Sequence, residues 1–188
     1  DTGGVYFPSL SKDARRVVFV KKTGSDSAIY VVPATGGTPS LVQSSTATVK
    51  NLRNPVFSPD GMKLAFGYDD GNAAAVGLVN VDGSSFSKLA GNGSLAYGLP
   101  SFFANGTSVL VASGNVGVPF TQIERIDIAT GTPTNITNKL GSEAMSISNR
   151  LVVSADGARA VFDARISSGV TRIFGIDLTT KVVTKLND

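Results

Sequence analysis

The sequence predicts an all-β fold made of a repeated four-stranded unit, on three observations. The first is a strand–turn–strand stretch, clearest in Asn54-Pro55-Val56-Phe57-Ser58-Pro59-Asp60-Gly61-Met62-Lys63-Leu64-Ala65-Phe66. Val56 and Phe57 favour strand. Pro59-Asp60-Gly61 is turn chemistry: Pro presets φ, Asp bonds its own backbone, and Gly tolerates positive φ. Leu64 and Phe66 alternate with Ala65, as on a strand with one better-buried face. The second observation is that this unit recurs at Asp13, Asn105 and Asp156, at intervals of 47, 45 and 51 residues. The third is that no stretch carries a convincing helical period.

The copies agree at fixed offsets from the motif Asp or Asn. Pro8, Pro55, Pro100 and Leu151 precede it, followed by Leu10, Phe57, Phe102 and Val153, then Ser11, Ser58, Phe103 and Ser154. Gly61, Gly106 and Gly157 follow it directly, with Ala14 the exception, and Phe19, Phe66, Val111 and Phe162 come later. A third strand follows in every copy, at Ile29–Val32, Val76–Val79, Ile123–Ile128 and Arg172–Ile176. Short turns lead to fourth strands at Ser40–Val42, Phe86–Leu89, Thr134–Thr137 and Val182–Leu186. Four short antiparallel strands at a period of about 40–50 residues are a propeller blade. The expectation is a β-propeller-type array of four four-stranded antiparallel blades, at residues 5–43, 52–90, 97–138 and 149–187, in a single domain. It is either part of a larger propeller or completed by oligomerisation, because four repeats leave no spare strand for a latch. Apolar faces are then left open near Val5–Phe19 and Val161–Leu186.

The stretch Pro55 to Gly61, with Leu64-Ala65-Phe66, Asp82-Gly83 and Lys88-Leu89, resembles the TolB-type, WD-repeat-like propeller repeat. The resemblance covers nearly the whole chain, with the third copy degenerate at Phe103-Ala104-Asn105-Gly106. It implies blades and says little about activity. The family it points to includes a periplasmic envelope protein, gating domains of serine peptidases and polysaccharide-active enzymes.

Composition limits the chemistry. The 188 residues include neither His nor Cys, so no Ser-His-Asp triad, thiolate nucleophile or His-based metal site can be completed within the chain. The lyases that the resemblance brings in use a His-bound metal, which argues against that rival. A Ser-Lys dyad is formally available, but no motif marks one. No phosphate-binding or dinucleotide fingerprint occurs, so no cofactor is expected. The net charge of +3 is small and the Lys and Arg residues are scattered, with doublets only at Arg15-Arg16 and Lys21-Lys22. That is not a nucleic-acid footprint. No apolar run approaches the length of about 18 residues that suggests a membrane span. The chain starts Asp1-Thr2 without Met, which a removed signal peptide or a larger parent would explain. With the richness in Ser, Thr, Gly and Asn, the resemblance suggests a periplasmic or extracellular bacterial protein.

Loops on a rigid scaffold are where binding usually sits. Antiparallel alternation places the motif turns on one side of the array, with longer internal loops and blade crossings on the other. The candidate contact residues are Arg53, Tyr68, Asp69, Asp70, Tyr97, Phe120, Arg150 and Arg165, in or beside those longer segments. Asp69-Asp70-Gly71-Asn72 offers oxygens to calcium but lacks a calcium-loop spacing, and reads better as a polar loop around a Gly turn. The repeated Asp of the motif reads as a turn acceptor rather than a metal ligand. Phe19, Phe66 and Phe162 read as inter-blade core. The function expected is a non-catalytic binding or assembly module with a protein partner or self-association. The alternative is the propeller part of a larger serine peptidase or polysaccharide-active enzyme.

Overall fold

The computed structural model describes residues 3–137 and 144–187. Among them every regular element is a strand. The first sheet runs β1 (Gly4–Leu10), β2 (Arg16–Thr23), β3 (Asp26–Pro33), β4 (Ser40–Ser44) in that spatial order. The second follows with β5 (Lys50–Phe57), β6 (Lys63–Asp69), β7 (Ala74–Asn80) and β8 (Ser87–Ala90). In the third, the innermost strand is split into β9 (Leu95–Tyr97) and β10 (Ser101–Phe102), which both pair with β11 (Ser108–Asn115), followed by β12 (Gln122–Asp127) and β13 (Pro133–Asn135). The fourth is β14 (Ala144–Val153), β15 (Arg159–Ile166), β16 (Thr171–Asp177) and β17 (Val183–Lys185). These are four antiparallel propeller blades, as the repeat implies.

Each first hairpin is closed by the motif itself. The Ser58 hydroxyl donates to Asp60 Oδ1 at 2.6 Å and accepts the Lys63 amide at 2.9 Å, while Asp60 Oδ1 also accepts the Met62 amide at 2.9 Å. Ser11 with Asp13, and Ser154 with Asp156, repeat this arrangement. The serine hydrogen bond, and after it a backbone amide, hold all three carboxyls below the usual carboxylate range. Asn105 keeps the amide-accepting part, from Thr107 at 3.1 Å, and takes a hydroxyl from Thr107 at 3.0 Å, since Phe103 replaces the serine. Gly61, Gly106 and Gly157 adopt left-handed φ near 70°, and Ala14 is held at 57° in the same place.

Blades stack face to face, and strand alternation gives each sheet two apolar faces. Val18, Val20, Ile29 and Val31 of the first sheet pack on Leu52, Leu64, Phe66 and Tyr68 of the second. Ala65, Val76 and Leu78 on the second sheet's other face meet Val109, Val111 and Ile126 of the third. Leu110, Ala112 and Ile123 then meet Leu151, Ala160, Phe162 and Phe174 of the fourth. Phe66 and Phe162 are buried between blades as expected. Phe19 is not: it is half-buried, because its face of the first sheet is the one turned away from the second.

The loops differ from expectation in length. The segments expected as long loops after the second strands, residues 21–28, 67–75, 113–121 and 163–171, are partly strand, least so in the third. The connections shrink to residues 24–25, 70–73, 116–121 and 167–170. The backbone hydrogen-bond ladder runs further than side-chain hydrophobicity reveals, pairing Thr23 with Asp26 and Asp69 with Ala74.

Phe66→Ala is expected to lower unfolding free energy by about 3–5 kcal/mol, by removing a fully buried ring between two sheets. Met62→Ala in the exposed turn should stay within about 0.5 kcal/mol. Urea denaturation of both variants checks the contrast, and an unchanged midpoint for Phe66→Ala would place that ring outside the interface.

Candidate functional site

The four inner strands converge on a central channel, and one repeated irregularity shapes it. Proline cannot donate to a ladder and is tolerated in strands at bulges. At Pro8 and Pro55 the register shifts within β1 and β5, and Pro100 stands in the break between β9 and β10. The residues before two of these prolines, Phe7 and Asn54, hold φ of 55° and 44°, unusual for side-chain-bearing residues. β1 lies beside β5, β5 beside β10, and β10 beside β14. The enclosed space is about 470 Å³, lined by Phe7, Pro8, Asn54, Leu99, Ser101 and Val152, with contributions from all four blades. At its mouth Lys12, Pro59, Ala104 and Ala155 of the four motif turns surround a further cavity of about 330 Å³. The turns therefore share one side of the array. Asn54 Oδ1 is a buried acceptor at the channel wall, without a hydrogen-bond partner.

At the opposite end the structure gathers some of the expected contact residues and withdraws others. Arg53 on β5 forms an ion pair with Asp69 at the end of β6, at 2.8 Å, and donates to the carbonyls of Asn51 and Tyr68. Asn51 donates to the other oxygen of Asp69 at 2.7 Å. Asp70 pairs with Lys88 at 2.6 Å while accepting the amides of Asn72 and Ala73 at 2.9 Å. The Lys88 hydrogen bond, with the Ala73 amide next, takes the Asp70 carboxyl down to about 2. Each carboxylate thus has its own cation, and neither is arranged for a shared calcium ion. Among the described residues no group of three or more metal-ligating side chains occurs.

Tyr68 and Tyr97 are corrections. The expectation put both in or beside long loops as contact residues, but they are buried to 2% and 4% exposure, on β6 and β9. Tyr68 completes an aromatic group with Phe66 and Phe86, at centroid distances of 6.0 Å. Burial, and then Asp70, pushes its hydroxyl up to about 12. Phe120 is half-buried against the core between the third and fourth sheets and bridges to Ile147. Arg165 is exposed on β15 and donates to the Gly169 carbonyl at 3.1 Å. The side chain of Arg150 lies outside the described residues.

Sequence reasoning missed a buried polar group in the third sheet. Ser113 donates to Glu124 Oε1 at 2.8 Å, and Glu124 and its cross-strand neighbour Asn135 each keep a buried oxygen without a hydrogen-bond partner. Burial, followed by the Glu124 carboxylate, pushes the Tyr97 hydroxyl up to about 12. No single residue announces such a group; it exists because β9, β11 and β12 bring its members together. The channel was more legible, since its prolines recur at a fixed offset.

No protein-family model and no curated protein matches the chain. Solved structures do. The chain is similar to TolB from Acinetobacter baumannii over 98% of its length, with a TM-score of 0.79 and 22% identity, covering 43% of that chain. It matches oligogalacturonate lyase from Vibrio parahaemolyticus with a TM-score of 0.73 and 15% identity, over 99% of this chain and 55% of that one. A puromycin-hydrolyzing peptidase of Mycobacterium tuberculosis gives 0.75 and 15%, over 98% of this chain and 28% of that one. The fold is that of a TolB-like β-propeller. The chain spans less than two thirds of each of these structures.

The Asp70 carboxyl is held below its unfolded value, so its contribution to stability is complete above about pH 4 and is lost as pH falls through about 2. Asp70→Asn should therefore flatten the acid limb of the stability profile in that window, relative to the parent chain. Chemical denaturation at stepped pH measures it, and identical acid limbs would remove Lys88–Asp70 as a stabilising pair.

Proposed function

We propose that this chain is a non-catalytic binding or assembly module that makes protein contacts through its channel, its loop end and its blade ends. The observation that carries this is a rigid four-blade scaffold with an open channel, built from a sequence without His or Cys. Binding sites are preferentially concave, largely apolar and supplied with a few polar groups, and Phe7, Leu99 and Val152 around Asn54 and Ser101 fit that description. The occupant is a segment of protein rather than nucleic acid, since a net charge of +3 on scattered residues offers no phosphate track. No membrane insertion is proposed, and among the described residues no helix is long and apolar enough to cross a membrane. The likeness to TolB supports a bacterial envelope or extracellular setting.

A second reading is favoured by one specific observation: the chain covers only 28% of the Mycobacterium tuberculosis peptidase it resembles. On that reading it is the propeller part of a larger serine peptidase or polysaccharide-active enzyme, whose catalytic residues lie outside these 188 residues.

The purified chain is expected to turn over neither peptide, ester nor oligogalacturonate substrates. Peptides selected against it from a display library should lose binding by about tenfold or more when Phe7 is changed to Arg, the loss expected of a central contact residue. Turnover that copurifies with the chain through successive columns would overturn the non-catalytic reading. Selected peptides that bind Phe7→Arg undiminished would remove the channel as the contact surface.

A further inference from the structure

Six Asn-Gly or Asp-Gly pairs stand in the turns and loops of this chain: Asp60-Gly61, Asp70-Gly71, Asp82-Gly83, Asn92-Gly93, Asn105-Gly106 and Asp156-Gly157. Each carries the parts of a self-reaction. The glycine nitrogen can close a five-membered ring on the preceding side-chain carbonyl carbon, and no Cβ crowds its approach. A peptide nitrogen delocalises its lone pair into the adjoining carbonyl, so it attacks only once its N–H proton is lost. Two properties therefore decide which pair reacts. One is whether that proton is held in a hydrogen bond, and the other is whether the side-chain carbonyl is electrophilic.

The fold sorts the six. In four of them the glycine amide donates to the carbonyl three residues back: Gly61 to Ser58 at 2.8 Å, and Gly83 to Asn80, Gly106 to Phe103 and Gly157 to Ser154 at 2.9 Å. These bonds close the turns and hold the proton that must leave. Among the described residues, the amides of Gly71 and Gly93 have no such acceptor. Asp70, before Gly71, is an ionised carboxylate paired with Lys88 at 2.6 Å, and its negative charge makes it a poor electrophile. Asn92, before Gly93, is a neutral amide in the exposed connection from β8 to β9.

The Asn92 carbonyl is also activated. Its Oδ1 accepts the amides of Ser94 at 3.0 Å and Leu95 at 2.8 Å. Donors aimed at a carbonyl oxygen stabilise the negative charge that develops there when the carbon is attacked. Asn105 has a comparable pair of donors, the Thr107 amide at 3.1 Å and its hydroxyl at 3.0 Å. The two Asn-Gly sites thus share an activated carbonyl and differ in the nucleophile.

We propose that Asn92 is a site of spontaneous deamidation, which the fold permits there and suppresses at Asn105. A solvent base takes the Gly93 N–H proton, and the nitrogen forms a bond to Asn92 Cγ. The Cγ–Nδ2 bond breaks, the leaving nitrogen takes a proton from water, and ammonia departs from a cyclic imide. Water then adds to either imide carbonyl and breaks one carbon–nitrogen bond. Addition at Cγ gives aspartate, and addition at the main-chain carbon gives isoaspartate. Water is consumed, ammonia is released, and nothing is oxidised or reduced. Either product adds a negative charge to the loop end beside the Asp70 loop, whose Asn72 is what a Cβ on Gly93 would meet, at 4.0 Å. Isoaspartate also carries the main chain through the former side chain, which removes the acceptor from the Ser94 and Leu95 amides. Leu95 opens β9 opposite Asn115, so this product loosens the entry to the third blade.

Peptide mapping by mass spectrometry tests the proposal, on the full chain aged in mildly alkaline buffer and on the same chain aged in guanidinium chloride. In the folded chain Asn92 should convert faster than Asn105 by about fivefold or more, the rate equivalent of one backbone hydrogen bond. In denaturant the two should convert at similar rates, because each is an Asn-Gly pair followed by a hydroxyl-bearing residue. L-Isoaspartyl methyltransferase should label the aged folded chain, and Asn92→Gln, whose longer side chain closes no five-membered ring, should lose most of that label. Conversion at Asn105 that matches or exceeds conversion at Asn92 in the folded chain would overturn the proposal. So would an Asn92 that stays intact in the folded chain while it converts in denaturant. A preference for Asn92 that persists undiminished in denaturant would assign it to local sequence rather than to the fold, and would overturn the proposal as well.

Discussion

Face-to-face packing of sheets is the constraint on which the rest of this molecule depends. A four-stranded blade with apolar side chains on both faces cannot be stable alone, since removing apolar surface from water is the main favourable term in folding. Every blade therefore needs a neighbour on each side. Phe66 and Phe162 meet that need inside the array, and Phe19 shows the same geometry without an internal neighbour. The neighbouring of inner strands follows from the same packing. Sheets held face to face at the core bring β1, β5, β10 and β14 together, and the space between them becomes the channel.

Around this packing, polar groups fix geometry. The Ser–Asp pairs close hairpins, and Arg16 ties one blade's strand to the next blade's turn. Asp69 and Asp70 are each paired with a cation at the opposite end. The shared geometry belongs to the blades, and a shared fold does not by itself fix a function.

The repeat was legible residue by residue because every copy must solve the same local problem. A Pro–Asp–Gly turn between alternating strands announces its hairpin without help from the rest of the chain. The side for the motif turns followed from counting antiparallel strands, and the surround of Lys12, Pro59, Ala104 and Ala155 agrees with it. Candidate contact residues were less legible. Tyr68 lies next to Asp69-Asp70-Gly71-Asn72 and so read as loop, yet strand pairing continues through it and turns its ring into the core. Arg53 and Asp69, both named as candidate contact residues, form an ion pair tied into strand ends.

By itself the sequence determined the class of fold, the number of repeats, the turn chemistry and the lack of imidazole and thiol groups. Those depend on local preference and composition, which a linear string contains. Tertiary structure decided which face of each blade is covered, why Phe66 is core while Phe19 is half-exposed, and how Glu124, Ser113 and Tyr97 come to share one buried place. Repeat equivalents have nearly the same local sequence signals, so only the presence or absence of a neighbouring sheet can separate them.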